Sequence, residues 1–320
     1  MIAFACGLLT SRFAARAQTP GRPIRIGWLT TVPFMGTPLH AVFVDAMRER
    51  GWIEGRHFVL VSRYSGGRNE LLAALAAELV RLEPDIIVSG ASPTTTAARN
   101  ATNRIPVLFL NVGDPVGSGF VASMARPGGN LTGFGGLGAA LQLKQLELIA
   151  EIEPKPTRVA VLVNPAFSFH VHVRAEIDAF ARDRGIVVRP VEVRSPDGID
   201  AAFESLARDR PDALLILGQP FFLQEAVRVA RLTIVHRLPT VVPFEDLVEA
   251  GCLMSYANRL NDDVRRLPSL IERIVNGTKP ADIPVEQATR FYLTLNLKTA
   301  RAIGVVVPRS LLVRADAVIE

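Results

Sequence analysis

Short polar stretches that follow apolar runs hold the residues of this chain best suited to chemistry. In Ser89-Gly90-Ala91-Ser92-Pro93-Thr94, Gly90 allows close backbone approach. Ser92, Thr94 and Thr95 bring hydroxyls to the start of a helix, where amides and dipole favour an anion such as a carboxylate. A plainer reading makes Ser92 an N-cap ahead of Pro93. Asp114, just before Pro115, is either a cap or the acceptor for a ligand ammonium, and Glu245 and Asp246 carry the same two readings. Thr30, Thr31 and Phe34, then Asn111, Asn164, Gln219, Phe244 and Tyr256, occupy equivalent places behind other apolar runs. Phe221, Phe222 and Tyr256 are candidates for the wall of an apolar pocket or for core.

These residues matter because of what precedes them. Residues 25–29, 58–61, 84–90 and 107–110 read as strands separated by helices at 38–50, 71–82 and 93–103. The plan recurs with strands at 158–162, 187–193, 213–217 and 240–242 and helices near 170–184, 199–209 and 222–236. Continuous apolar strands alternating with amphipathic helices predict an α/β fold of two Rossmann-like lobes, each a parallel sheet covered on both faces. In such sheets ligands bind outside the carboxyl ends of the strands, where the polar residues named above fall. A strand at 253–256, a helix at 260–276, a strand near 290–295, a helix from 297 and a last helical turn after Pro308 complete the chain. The expected division is an export-signal remnant and linker at 1–23, one lobe from 24–136 plus about 258–289, and another from 137–257 plus about 290–320. Several crossings would form a hinge between them.

The 320 residues are 49% hydrophobic and 21% charged, enough for two cores, and no apolar run reaches the length of a spanning helix. The net charge of +5 raises the question of nucleic acid. Its arginines are scattered singly at helix ends and polar faces, which argues against that partner. Gly133-Phe134-Gly135-Gly136-Leu137-Gly138 formally matches G-x-G-x-x-G, but Glu151 and Glu153 lie at a helix end instead of a strand end, so the segment reads as a flexible interlobe crossing. No nucleophile elbow or P-loop occurs, and His170 and His172, two residues apart on a helix, make a poor metal pair. No enzyme activity, metal or cofactor is expected. Ala15-Arg16-Ala17 after an apolar start resembles an export-signal cleavage site behind a truncated leader, which implies a periplasmic protein. Cys252 then stands alone in the mature chain as a core residue.

The runs 113–121 and 125–133 resemble the signature of the tryptophan-binding-protein-like (TrpX-like) family of periplasmic solute-binding proteins of ABC transporters. Residues 75–80, 249–256, 279–287, 296–300 and 311–316 are also similar, and the likeness covers about residues 24–320. It implies a type I periplasmic-binding-protein fold that holds a small ligand, an amino acid or related carboxylate, in the interlobe cleft. The implied partners are a permease and its cytoplasmic ATPase, approached by a monomer that meets the membrane only through the permease. On this likeness the Ser89–Thr94 loop holds a carboxylate, Asp114 an α-ammonium, and Tyr256 and Phe244 lie near the side chain. Gln219-Pro220-Phe221-Phe222 and Val242-Pro243-Phe244 depart from the family pattern on the second lobe's ligand side. A ligand sensor for a signalling receptor is the alternative, and an enzyme on the same scaffold a more distant one.

Overall fold

The structure is a computed structural model and describes residues 22–153 and 156–320; the leader expectation for residues 1–21 lies outside them. In chain order the elements are β1 (Ile24–Thr30), α1 (Pro38–Glu49), β2 (Phe58–Tyr64), α2 (Leu72–Arg81), β3 (Ile86–Ser89), α3 (Ser92–Ala101), β4 (Val107–Val112), β5 (Leu131–Gly135), α4 (Ala140–Ile152) and β6 (Arg158–Val163). There follow α5 (Ser168–Arg182), β7 (Val187–Glu192), α6 (Ile199–Asp209), β8 (Ala213–Ile216), α7 (Phe221–Gln224), α8 (Ala226–Val235), β9 (Thr240–Val242), α9 (Glu245–Glu249) and β10 (Met254–Ala257). The chain ends with α10 (Leu260–Val275), β11 (Tyr292–Asn296), α11 (Leu297–Ile303), α12 (Arg309–Arg314) and β12 (Ala317–Ile319).

Among the described residues the strands form two sheets, ordered β2-β1-β3-β4-β5 and β12-β11-β10-β9-β8-β6-β7. Both are parallel except where β11 pairs antiparallel with β10. That inversion follows from topology: β11 enters from the far side after α10 and returns directly beside the strand the chain had left. The sequence pattern misses β12, a three-residue strand with Val318 exposed between two half-buried residues, too short to show periodicity. It also merges α7 and α8, which break at Glu225.

Each sheet is buried on both faces. Trp28, Phe43, Phe58 and Phe134 form one core of the first sheet with Val264, Leu267 and Ile271 of α10, so this late helix packs on the early strands. Phe34 turns inward and stacks on Trp28, with ring centroids 3.6 Å apart. Cys252 is a free thiol fully buried in the second sheet's core, its pKa pushed up to about 12 by burial.

The glycine-rich segment is not a flexible crossing throughout. Gly133 and Gly135 lie in β5, hydrogen-bonded at the edge of the first sheet, and only residues 136–139 pass between the sheets. A Cβ on Gly133 would lie 2.0 Å from the Phe109 carbonyl oxygen, and its φ of +150° excludes other residues. The G-x-G-x-x-G spacing serves strand packing here, not a pyrophosphate. Gly133→Ala is therefore expected to cost about 3 kcal/mol or more of folding free energy, from a steric clash plus a forbidden backbone angle. Urea unfolding of the variant measures it.

Candidate functional site

In the first sheet the order reverses between β1 and β3, and in the second between β6 and β8; ligands favour such switch points. Thr30 closes β1 and Thr31 follows it, both buried, and the Thr30 hydroxyl turns back onto the Val32 backbone at 2.9 Å. Gly90, at the end of β3, leaves its missing Cβ 3.5 Å from that of Thr30. The β1/β3 crevice is thus lined closely by backbone.

The Ser89–Thr94 loop divides into committed and open groups. Ser89 is fully buried, its hydroxyl paired with that of Thr95 at 2.8 Å. Thr94 is equally buried and receives the Ala91 amide at 3.0 Å. Ala91 is therefore the N-cap position, and the reading of Ser92 as N-cap does not hold; the Thr94 hydroxyl has taken the role a capping side chain would play. The first intrahelical bond runs from Thr95 N to Ala91 O, and Pro93 has no N–H. The amides of Ser92 and Thr94 precede that bond, and the half-buried Ser92 hydroxyl stands beside them.

Near its end β4 bulges. Asn111 is exposed and left-handed at φ 52°, a conformation Asn tolerates better than most residues, where the β4–β5 register shifts. Asp114 Oδ1 receives the Gly117 amide at 2.8 Å, so its turn-capping role is real. Oδ2 has no hydrogen-bond partner among the described residues, leaving capacity for a second donor.

The second lobe's candidates are bound to one another. Asn164 is buried, donating to Gln219 Oε1 at 3.1 Å and accepting the Ala166 amide at 3.0 Å. His170, dismissed above as a metal ligand, bridges the two strand ends: Nδ1 accepts from the Asn164 amide at 3.0 Å, and Nε2 lies 3.2 Å from the Gly218 carbonyl. Nε2 must then carry the proton, and burial pushes its pKa down to about 4. Both Glu245 oxygens accept from Arg259, at 2.7 and 2.8 Å, and one also from Thr294 at 3.0 Å. The Arg259 hydrogen bonds hold the Glu245 carboxyl below its usual range. Phe244 packs on the second lobe's core. Tyr256 stacks on Phe291 at 5.7 Å and its carbonyl receives the Gln145 side chain at 2.8 Å.

Two buried groups escaped sequence reading. Ser65 follows β2, is 2% exposed and donates its amide to Thr30 O, yet its hydroxyl has no partner. Gln142, one turn before Gln145 on α4 and so nearer the strand ends, has an equally unpartnered buried Oε1. An unmet buried polar atom costs about 1–3 kcal/mol, which a bound donor would remove. Neither position has a local signal; Ser65 reads as a turn residue and Gln142 as a helix surface residue.

The strand ends of the two sheets face each other. Phe169 of α5 lies against Gly113, and Gln224 of α7 against Gly67. The chain passes between the lobes near 136–139, 258–259 and 287–291. These crossings are laced together: Glu286 exchanges backbone hydrogen bonds with Gly133 and Gly135 at 2.9 Å, the Gln287 side chain donates to Gly136 O, and Arg266 pairs with Glu286. Asp263 sits beneath, buried, receiving Asn258 at 3.1 Å. Burial pushes its pKa up to about 6 against the pull of Arg266. A groove of about 480 Å³ lined by Met124, Arg266 and Gln287 lies on this hinge side, away from the strand ends, and is not the site.

Two such lobes, joined by three crossings with their strand ends opposed, define the type I periplasmic-binding-protein fold. The chain belongs to the ABC transporter substrate binding protein family, whose model matches residues 40–319. That family consists of binding proteins, not enzymes. The chain is 23% identical over 265 residues, 82% of its length and 75% of the relative's, to a tyrosine-binding protein of Clostridioides difficile (strain R20291). It is 24% identical to an ABC domain from Streptococcus pneumonia solved with L-Trp, with a TM-score of 0.84 over 93% of this chain and all of that one. Against a ligand-free, open substrate-binding protein with adhesive properties from Clostridium difficile the identity is 21% and the TM-score 0.66, over 92% of this chain and 99% of that one.

His170 and Asp263 make opposite demands on pH. His170 stays neutral when folded, so stability falls as pH drops from about 6.5 to about 4, by up to about 1.4 kcal/mol per unit. Asp263 prefers its proton when folded, and its contribution, full below about 3.8, is lost as pH rises to about 6. Asp263→Asn should therefore steepen the loss of stability on acidification between pH 6 and 4, and His170→Gln should flatten it. Urea midpoints across that range measure both slopes.

Proposed function

We propose that this protein captures a free amino acid, most specifically an aromatic one, between its lobes and delivers it to a membrane permease driven by a cytoplasmic ATPase. The observation that carries this reading is the pairing of open groups on adjacent strands. Two unused amides and a hydroxyl stand at the start of α3 after β3, and a free carboxylate oxygen on Asp114 stands after β4. The first suits a carboxylate and the second an ammonium, the two ends of a zwitterion. The Ser89 and Thr94 hydroxyls take no part, being spent on the loop itself. Thr30, Thr31, Gly90 and Asn111 frame the grip. Asn164 and Gln219 hold the opposing wall in shape, and Phe244 and Tyr256 flank the ligand side chain.

The names of the tyrosine-binding relative and the L-Trp complex support an aromatic ligand. The higher TM-score against the L-Trp complex than against the open protein supports reading the arrangement as the closed one. The lobes are 24–136 with about 258–289, and 137–257 with about 290–320, rotating about the three crossings. The protein works as a monomer in the periplasm and meets the membrane only through the permease.

The test is calorimetric titration of protein unfolded and refolded to strip carried-over ligand, against the twenty amino acids and small carboxylates. Binding by L-tyrosine or L-tryptophan is expected at micromolar Kd, about −8 kcal/mol. Asp114→Ala is expected to weaken it by about a hundredfold, the cost of one charge-assisted pair. Failure of every amino acid to bind, or an unchanged Kd in Asp114→Ala, sinks the zwitterion reading.

A further inference from the structure

One contact across the cleft has a shape that only glycine permits. Gly113 follows β4 in the first lobe; Phe169 is the second residue of α5 in the second. A Cβ built on Gly113 would lie 2.8 Å from Cε2 and Cζ of the Phe169 ring and 2.9 Å from Cδ2. The aromatic edge thus occupies the space any side chain at 113 would take. Gly113 has no left-handed φ, so its own backbone does not demand glycine. The ring across the cleft does.

Neither partner is free to step aside. Phe169 packs on the second lobe's core, and the next residue, His170, pins the start of α5 to the ends of β6 and β8. The Gly113 carbonyl accepts the Gly138 amide at 3.0 Å, tying it to the first crossing. On the other flank, Gln224 Oε1 stands 3.7 Å from where a Gly67 Cβ would be. Gly67 follows β2 and Gly113 follows β4, so the two contacts bracket the ends of β1 and β3. At the usual strand spacing they are three intervals, about 14 Å, apart. The crevice with Thr30 and the start of α3 lies between them.

We propose that Phe169 is the residue that sets how far the cleft closes, by docking on the bare backbone of Gly113, and that it thereby sets ligand affinity. The inference rests on the reading that the protein holds its ligand by closure. Phe169 is a positioning residue: it acts on the ligand through the relative placement of the lobes. A methyl group at 113 is a wedge felt in the closed form alone, because an open cleft removes the ring from its vicinity. Apparent affinity then falls in proportion to the closed fraction that the wedge removes.

The test uses the full chain and three variants, Gly113→Ala, Phe169→Ala and the two combined, titrated with L-tyrosine and L-tryptophan and followed by small-angle scattering. Gly113→Ala is expected to raise Kd by about tenfold or more and to abolish the ligand-induced contraction, with an unchanged urea midpoint in the ligand-free state. Phe169→Ala weakens binding by itself, and adding Gly113→Ala to it costs little further, since the wedge has lost its partner. Gly113→Ala binding and contracting like the unaltered protein overturns the proposal, as does full additivity of the two changes.

A second measurement is independent of the ligand. The Gly113→Cys/Phe169→Cys chain, oxidised without ligand for long enough to trap transient closures, is expected to crosslink and migrate faster on a non-reducing gel, while each single cysteine variant does not. No crosslink overturns the contact. If the unaltered protein binds neither amino acid yet the crosslink forms, the amino-acid reading has failed and the closure contact stands.

Discussion

The end of β4 is the point from which the site is hung, and what fixes it is the unusually close approach of the β5 backbone. A Cβ on Gly135 would lie 2.1 Å from the Val112 carbonyl oxygen, and that same oxygen accepts the Gly136 amide at 2.9 Å. Since Val112 is drawn onto the crossing, the residue before it bulges, and Asn111 is pushed out into a left-handed conformation. The next two residues, Gly113 and Asp114, then leave the sheet directed by the hinge itself. A loop suspended in this way moves with the first lobe as one rigid piece, so closing the cleft brings the second lobe to it without loosening its geometry.

The two lobes spend their polar groups differently. In the second, Asn164, Gln219, His170 and the Gly218 carbonyl satisfy one another at the switch point, so that part of the wall is set before any ligand arrives and Gln142 Oε1 of α4 is left as an open acceptor beside it. The first retains unused capacity at the start of α3, on Asp114 and on the Ser65 hydroxyl. Buried polar groups are costly when unpaired and nearly neutral when paired, so binding energy is available chiefly where pairing is incomplete. This asymmetry favours a division of labour in which the first lobe grips polar ends and the second offers a shaped surface.

The same economy explains what was legible in the sequence. Continuous apolar strands with helices between them reveal a doubly covered parallel sheet whatever the ligand, and the polar residues behind those strands follow from the topology. Which of those residues are open is a different matter. Ser89 and Ser92 look alike in sequence; only the fold shows that the first is paired with Thr95 and the second is not. The glycine run misled because glycines that serve a flexible crossing and glycines that serve close strand packing look alike in sequence, and Gly133 and Gly135 are of the second kind. Gly113 opens a signature run and Phe169 borders an expected helix, but nothing in the sequence pairs them, because their meeting depends on how the two lobes come together.

The hinge shows why that meeting can be decisive. Its crossings are already bound by Arg266, Glu286, Gln287 and the backbone of Gly133 to Gly136, so they bend as a unit and offer no obvious stop. A rotation without an internal stop ends where the lobes touch. Contacts between the lobes across the strand ends therefore fix the end point, and an error of one methyl group there displaces every group that must converge on a ligand. Hydrogen bonds weaken steeply beyond their usual 3 Å or so, whereas apolar contact degrades gradually. Affinity for a polar ligand is for that reason more sensitive to the seating of the lobes than folding stability is.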